Sequence, residues 1–402
     1  MPDSPILRLV GSRALNTFGR AVIYSTVLWE LYDRTGDKLV VAAVGTVLML
    51  PVVLLFVPSG TLVDRGDRRA LATAAAFATG MVGSGLAIAS YAGAPVWVYL
   101  ALLLVQGSVT SVHAPASSSL IPMILPREDL QRANRIGSSL QELAAIAGPS
   151  LAGLALDITA PHWVYAWVAI TGLASAAMYR SLPAPRVAKP GPAADRRDWR
   201  IGLRFIFNSP LLLPALTLDM FAVLFAGVTA LLPVIAKDVL HVGPFAYGVL
   251  RSAQSAGAVM MAVLGGALPA WKHPGRVLLV VVALFGAVTI AFGLSTSPAL
   301  SVLLLFAAGA LDNISVVIRL TLEQMVVPDQ IRGRVSAVHY VFIGMSNELG
   351  AAESGVAAWA IGTVPAIVAG GAVAIAVVGV VAVKWRALAA MPPLAELKPD
   401  AQ

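Results

Sequence analysis

Four polar side chains recur at helical spacing inside one apolar stretch of the chain. They are Asp312, Ser315, Arg319 and Glu323, and most residues around them are aliphatic. Positions three or four residues apart lie on one face of a helix, so these side chains share a stripe. A guanidinium among apolar groups needs a carboxylate to offset its desolvation. The stripe therefore predicts either a structural ion pair or a charge switch, with Asp312, Glu323 or Asp219 as the partner of Arg319.

Acidic side chains also stand in other apolar stretches. Burial raises the pKa of a carboxyl, and a nearby cation lowers it. A carboxyl whose surroundings alternate between two sides of a barrier can therefore take up a proton on one side and release it on the other. Arg251 and Arg319 would modulate such acids or meet an anionic ligand. The candidates for carrying a proton are Asp219, Glu348, Glu353 and Asp312.

Further polar or aromatic side chains line single helix faces, and we expect these faces to turn toward a cavity rather than toward lipid. Alternatives remain for some positions: Arg13 can reach back to the interface, and His113 fits an interior hydrogen-bonded residue as well as a ligand. Glu30 and Asp33 are expected to be solvated. The candidate cavity residues are Asn16, Arg20, Tyr24, His113, Phe221, Phe225, Arg251, Gln254, Arg319, Tyr340 and Asn347.

The composition indicates which class of protein can hold these residues. Of 402 residues, 58% are hydrophobic and 12% are charged, whereas soluble domains carry about 25% charged residues. The formal net charge of +7 comes from clusters between apolar runs, which is typical of membrane proteins and not of nucleic-acid binding. We find no cysteine, no zinc-ligand spacing among the five histidines, and no phosphate-binding loop. We therefore expect no enzyme, no metal and no cofactor.

Runs of about 20 apolar residues are long enough to cross a bilayer as helices, and the chain contains twelve of them. An all-α membrane protein with twelve transmembrane helices is therefore predicted. The predicted spans are residues 7–32, 39–62, 70–91, 96–125, 131–156, 162–181, 210–236, 244–268, 276–295, 299–326, 332–360 and 364–386.

The Lys and Arg residues predict the orientation of these spans. Loops after even-numbered spans, together with both termini, hold most of the 28 basic residues, whereas the opposite loops hold only Arg34, Lys38 and Lys237. Because basic loops stay in the cytoplasm, both termini are predicted to be cytoplasmic.

The chain divides into related halves. Leu120-x-x-Met123-x-x-Pro126 recurs as Leu322-x-x-Met325-x-x-Pro328, which predicts two pseudo-symmetric six-helix bundles with a site at the midplane between them. The predicted organisation is an N-terminal bundle at 1–181, a cytoplasmic linker at 182–209, a C-terminal bundle at 210–388 and a cytoplasmic tail at 389–402. The linker ends in Trp199–Asn208, which reads as an interfacial amphipathic helix.

The loop between the second and third spans concentrates charge at one membrane edge. It reads Gly-Thr-Leu-Val-Asp-Arg-Gly-Asp-Arg-Arg over 60–69. This decapeptide resembles the loop signature of the major facilitator superfamily, with the second glycine of that signature shifted to Gly66 and Asp67 in its place. The resemblance implies a conformational latch near Arg332 and Gly333, formed by Gly60, Asp64, Arg65, Arg68 and Arg69.

Later segments narrow the resemblance. Residues 231–240, 312–319, 332–338 and 346–355 are similar to the bacterial exporter branch that includes siderophore (enterobactin) exporters and macrolide or multidrug efflux proteins. The resemblance implies proton-driven export of a siderophore or drug-like molecule by alternating access. It also implies a monomer in the bacterial inner membrane, whose partners are a small-molecule substrate, protons and lipid. An importer or uniporter, or a non-transporting scaffold with a dry interior, remains an alternative.

Overall fold

The protein is helical throughout the part that its structure describes. The computed structural model describes residues 4–183, 199–265, 271–328 and 330–397, with no strand among them. Within the described residues, each of the twelve predicted spans coincides with a helix or with consecutive helical segments; residues 266–268 of the eighth span lie outside them. The helices of the first half are α1 (Ser4–Thr35), α2 (Lys38–Leu54), α3 (Phe56–Arg65), α4 (Arg68–Tyr91), α5 (Val96–Ile124), α6 (Arg127–Ile158) and α7 (Pro161–Arg180).

The second half begins with a short helix after the linker and ends with another after the last span. Its helices are α8 (Trp199–Asn208), α9 (Leu212–Ala226), α10 (Leu232–Val234), α11 (Pro244–Gly265), α12 (Pro274–Leu294), α13 (Pro298–Val326), α14 (Arg332–Ile361), α15 (Thr363–Lys384) and α16 (Arg386–Ala389).

Six helical segments of the described residues are long and apolar enough to cross a membrane on length and composition alone. The six are Arg68–Tyr91, Val96–Ile124, Leu212–Val239, Pro274–Leu294, Pro298–Val326 and Thr363–Lys384.

The chain forms two compact units. One comprises Met1–Gly191 with Ala236–Ser252, and the other comprises Pro192–Ile235 with Ala253–Gln402. The segment Ala236–Ser252 belongs to the first unit because its side chains bond to α1. The Tyr247 hydroxyl donates to the carbonyl oxygen of Ser25 at 3.1 Å, and Tyr32 donates to Asp238.

Two predicted spans are interrupted. The second span breaks at Leu55, three residues before Pro58. Proline has no backbone N–H to donate to the carbonyl oxygen of Leu54, and its ring crowds that oxygen. The seventh span breaks at Gly227, whose backbone is extended (φ −76°, ψ 98°). Beyond it the chain continues as a 3-10 turn at Thr229–Leu231, then as α10, and then as a π-helical turn at Ile235–Val239.

Glycines bring helix backbones close together inside each unit. In the first unit, a Cβ on Gly172 of α7 would lie 2.5 Å from the backbone nitrogen of Gly80 on α4. In the second unit, a Cβ on Gly370 of α15 would overlap the carbonyl oxygen of Phe225 on α9. Small residues allow this close approach where apolar burial cannot drive helix association.

The residues after the last span pack onto the second unit. Leu388 and Met391 are fully buried in its apolar core, and the Nε of Arg276 on α12 donates to the carbonyl oxygen of Ala389 at 3.3 Å. A Cβ on Gly275 would overlap the carbonyl oxygen of Leu388. The first part of the expected tail, 389–402, is therefore docked against α12.

The linker helix also packs onto the second unit. Ile206 of α8 is buried in an apolar cluster with Val327, Ile331 and Val335, whereas Arg204 is exposed. One apolar and one charged face are what an interfacial amphipathic helix requires.

Candidate functional site

A buried ion pair in the second unit joins Asp219 on α9 to Arg319 on α13. A carboxylate oxygen of Asp219 contacts Nη1 of Arg319, and only 7% of Asp219 and 2% of Arg319 is exposed. The Nε of Arg319 also donates to the carbonyl oxygen of Ser315 at 3.2 Å. Of the partners that the sequence left open for Arg319, the structure selects Asp219 for the direct contact rather than Asp312 or Glu323.

Asp312 lies beside this pair and is electrostatically coupled to both of its members. Asp219, Ser315 and Asp312 line one small cavity between α9, α12 and α13, with room for about one water-sized sphere. Two carboxylates and one guanidinium carry a net charge of −1 when all three are ionised. A single proton therefore makes this cluster neutral, which is the chemistry that a proton-carrying site requires.

Glu323 has its own partners one turn further along α13. Its carboxylate accepts hydrogen bonds from Ser336 and contacts Nδ1 of His339, both on α14. Glu323 and His339 are 4% exposed each. The spacing of Glu323 and Arg319 on one helix face therefore does not make them a pair, because α14 supplies the closer groups.

Aromatic and amide candidates lie near the break of the seventh span. The rings of Phe221 and Phe225 are stacked, with centroids 5.9 Å apart and planes 18° apart. Gln254 on α11 accepts a hydrogen bond from the Thr229 hydroxyl at 3.3 Å. These side chains are half-buried.

Two buried polar candidates of the first unit lie on α1 and α5. Asn16 and His113 are 2% and 6% exposed, and the ring of His113 meets that of Tyr179 edge-on at 5.7 Å. Within the described residues, Nδ2 of Asn16 and Nε2 of His113 have no hydrogen-bonding partner. Buried polar atoms of this kind are commonly satisfied by internal water.

Tyr24 and Arg251 are also brought together in the first unit. The guanidinium carbon of Arg251 lies 4.4 Å from the centre of the Tyr24 ring, in cation–π geometry. Arg20, one turn before Tyr24, is exposed on the surface of the protein. Because an arginine within a span avoids lipid, this exposure favours an aqueous surface for the stripe.

Glu30 corrects an expectation, because it is buried rather than solvated. It is 5% exposed and accepts hydrogen bonds from the hydroxyls of Ser90, Tyr99 and Tyr165, each at 2.8 Å. Arg34 adds a contact at 3.7 Å. The donors come from α4, α5 and α7, so the α1 sequence alone could not reveal them. Asp33 is exposed, as expected, and pairs with Lys237.

The charged loop between the second and third spans is held by several contacts. Asp67 begins α4 as its N-cap, accepting from the backbone nitrogens of Arg69 and Ala70 at 2.9 and 3.2 Å. Arg69 donates to the carbonyl oxygen of Leu182 at 2.7 Å, and Arg68 lies 3.4 Å from the sulfur of Met123. Sequence reasoning missed Asp67, although its place before an apolar run is a helix-start signal.

The other residues of the proposed latch are described by their exposure alone. Gly60 is half-buried in α3, and Arg65 is exposed at the end of that helix. The side chain of Asp64 lies outside the described part of the structure, so the latch stays a prediction.

The remaining candidates lie along α14. Glu348 is half-buried, and Asn347 is exposed, with its Nδ2 donating to the carbonyl oxygen of Ile343 at 2.9 Å. Glu353 lines a cavity of its own, distinct from that of Asp219. The side chain of Tyr340 lies outside the described residues.

Comparison with known sequences places the chain among membrane transporters. A family model described as Major Facilitator Superfamily matches residues 9–351. The chain is 25% identical over 284 residues to macrolide efflux protein A of Streptococcus pyogenes, with 68% of each chain covered. It is 28% identical over 302 residues to the enterobactin exporter EntS of Citrobacter koseri, covering 74% of this chain and 71% of that protein.

Solved structures show the same architecture at lower identity. A bacterial homolog of the human lysosomal transporter Spinster, in an inward-facing and occupied conformation, superposes with a TM-score of 0.72 at 15% identity, covering 98% of each chain. A D-xylose–proton symporter superposes with a TM-score of 0.71 at 14% identity, covering 99% of each chain. At these identities the likeness establishes the fold alone.

Proposed function

The chain belongs to the major facilitator superfamily, and from that premise we propose that it is a proton-coupled exporter of a siderophore or drug-like small molecule, working by alternating access. As a member of this family it is a multi-pass membrane transporter with twelve transmembrane helices in two six-helix bundles. The observation that carries proton coupling is the buried Asp219–Arg319 pair with Asp312 beside it.

The cluster gives proton uptake a mechanical consequence. Protonation of Asp219 leaves the guanidinium of Arg319 without its counter-charge in a dry part of the bundle. An uncompensated buried cation is costly, so Arg319 must turn to another anion. Asp312, seven residues earlier on the same helix, is one such anion, and a negatively charged substrate group is another. Exchange between these partners would couple the proton to a change in conformation.

Export is the direction that the relatives support. The two efflux and export proteins matched by the chain differ in substrate, one being named for macrolides and the other for enterobactin. In the second unit, stacked Phe221 and Phe225 offer an aromatic surface for an amphiphilic molecule. In the first unit, the Arg251–Tyr24 contact offers a cation for an anionic molecule.

The setting of this activity is proposed from the sequence pattern. We place the protein in the bacterial inner membrane, as a monomer with both termini in the cytoplasm, because basic residues concentrate in the loops of that side. The six-span halves are 1–181 and 210–388, joined by the linker and followed by the tail at 389–402. Glu348 and Glu353 stay candidates for carrying a proton beside Asp219 and Asp312.

The proposal is tested by transport into proteoliposomes containing the purified protein. With a labelled macrolide or siderophore as substrate, an imposed pH gradient should accelerate accumulation, and counterflow should persist without the gradient. Asp219→Asn should uncouple the flux from pH, whereas Asp157→Asn, at an exposed acid near the end of α6, should not. Equal flux with and without the gradient would indicate a uniporter instead. Full pH-driven transport in both Asp219→Asn and Glu348→Gln would reject the assignment of these acids.

A further inference from the structure

The break in the seventh span leaves a helix end inside the second unit. α9 ends at Ala226, and the extended backbone of Gly227 interrupts the helical hydrogen bonds before the 3-10 turn begins. The last carbonyl groups of a helix have no partner within it, and together they carry a partial negative charge of about half an elementary charge. This end of α9 therefore attracts cations and repels anions.

A small cavity lies at this helix end, and it contains a carboxylate. It has room for about one water-sized sphere. Gly227, Val228 and Leu231 line it on one side, and Glu353 and Ser354 of α14 line it on the other. The Ser354 hydroxyl lies 3.3 Å from the carbonyl oxygen of Gly227. Three kinds of oxygen, from a carboxylate, a hydroxyl and a main-chain carbonyl, thus meet at one place.

The charges around this cavity do not balance within the protein. Among the residues that the structure describes, no lysine, arginine or histidine forms an ion pair with Glu353, in contrast to Asp219 with Arg319. An ionised Glu353 would also face the negative end of α9. Glu353 is half-buried, and a partly desolvated carboxylate without a counter-charge is unfavourable, so a positive charge from outside the chain would stabilise the site.

We propose that the cavity between the end of α9 and α14 binds a small monovalent cation, with the carboxylate of Glu353, the hydroxyl of Ser354 and the carbonyl oxygen of Gly227 as ligands. Hard cations prefer oxygen ligands of these types, and unwound carbonyls in broken spans suit such ions. A proton would neutralise Glu353 but would leave the carbonyl end of α9 without a counter-charge. A metal cation satisfies both, which gives Glu353 a role separate from that of Asp219.

The test is thermal unfolding of the detergent-purified, full-length protein without substrate, with Na⁺ as the probe. NaCl replaces choline chloride at constant ionic strength and pH. We expect a saturable rise in Tm with Na⁺, as binding to the folded state requires. Glu353→Gln should abolish the rise. Ser354→Ala should raise the half-saturating Na⁺ concentration about tenfold, as loss of one ligand implies. Ser346→Ala, a buried serine elsewhere on α14 that donates to Phe342, should leave it unchanged.

Three outcomes would overturn the proposal. The first is an equal Tm in NaCl and choline chloride. The second is a Na⁺ response that survives Glu353→Gln. The third is a dependence on pH alone, lost in Glu353→Gln, which would assign the site to a proton only. If Glu353→Gln does not fold, the comparison of Ser354→Ala with Ser346→Ala carries the test. Because the assay measures no transport, its failure leaves proton-coupled export standing, and failure of export leaves the cation site standing.

Discussion

The pairing of Asp219 with Arg319 raises the question of whether the pair stabilises the fold or switches during transport. A structural pair and a switch differ in what a double substitution does. Removing one partner leaves a buried charge, whereas replacing both with apolar groups of similar size removes the problem of charge altogether. The two readings can therefore be separated with two variants.

We predict that Asp219→Asn lowers the free energy of unfolding by about 3 kcal/mol, because buried Arg319 loses the carboxylate in direct contact with it. The double variant Asp219→Leu with Arg319→Met should recover most of that loss. Thermal unfolding in detergent measures both. Transport by the double variant then distinguishes a structural pair from a switch. If transport needs the switch, the double variant is inactive although it is stable. Wild-type, pH-driven flux in the double variant would make the pair structural.

Glu30 offers a prediction about stability alone. Glu30→Gln replaces a carboxylate that accepts three hydroxyl hydrogen bonds with an amide that has one acceptor oxygen, so it should lower the free energy of unfolding by about 2 to 3 kcal/mol. The control is Asp33→Asn, whose partner Lys237 is partly exposed, with an expected change below about 1 kcal/mol. Similar losses in the two variants would mean that the Glu30 network contributes little.

Some of these residues could be predicted from the sequence, and others could not. Arg319 and Asp219 stand out because charge within an apolar run is costly wherever the run folds. Their pairing, and that of Glu323 with His339, depends on which helices are neighbours. Glu30 was wrongly expected to be solvated, because its position near the end of α1 says nothing of the hydroxyls that three other helices direct toward it.

Where two helices are in close contact, a single glycine can be essential for their packing. We predict that Gly370→Ala lowers the free energy of unfolding by about 2 kcal/mol or more, because its Cβ would overlap the carbonyl oxygen of Phe225 and backbone atoms cannot turn aside. Gly379→Ala on the same helix has no atom within 4 Å of its Cβ and should be neutral or slightly stabilising. Equal changes in the free energy of unfolding would mean that helix propensity, and not helix contact, determines the effect of alanine at both positions.

The start of α4 allows the capping role of Asp67 to be tested separately from the proposed latch. Asp67→Ala should lower the free energy of unfolding by about 1 kcal/mol, because two backbone nitrogens lose their acceptor, whereas Asp67→Asn should keep most of the cap. Chemical unfolding of the two variants provides the comparison. A loss as large for asparagine as for alanine would show that the negative charge, and not the cap, is what Asp67 contributes.

Most elements follow from the sequence, because runs of apolar residues long enough to cross a bilayer have few other structures open to them. The interruptions are harder to predict. Pro58 signals the break after α2, but Gly227 resembles other glycines in the chain that stay helical. Its extended backbone depends on neighbouring helices, including the Ser354 hydroxyl that bonds to its carbonyl oxygen.

At the scale of the whole molecule, the division of the chain differs from a simple halving. The sequence repeat suggests that the seventh and eighth spans lie wholly in the second half, yet Ala236–Ser252 packs within the first unit through Tyr32, Asp238 and Tyr247. A repeat in the sequence indicates that the two halves contain corresponding helices. It cannot report which side chains at the helix ends bond to which unit.

The orientation in the membrane is a prediction for the whole chain. Because the chain has no cysteine, it can be tested by labelling single introduced cysteines. Single cysteines at Asp157 and Arg204, both exposed, should react differently with a membrane-impermeant thiol reagent in intact cells. Asp157→Cys should be labelled at once, and Arg204→Cys only after permeabilisation, because basic loops stay in the cytoplasm. The reverse pattern would invert the proposed topology, and the unmodified chain provides a label-free control.

The docking of Leu388 and Met391 against α12 bears on how the protein can be handled in the laboratory. An affinity tag or fluorescent reporter joined directly to Lys384 would displace two core side chains and expose the apolar groove they fill, which invites aggregation. The same fusion placed after residue 397 leaves that groove occupied. Yield after solubilisation therefore depends on a junction that hydropathy alone would place thirteen residues too early.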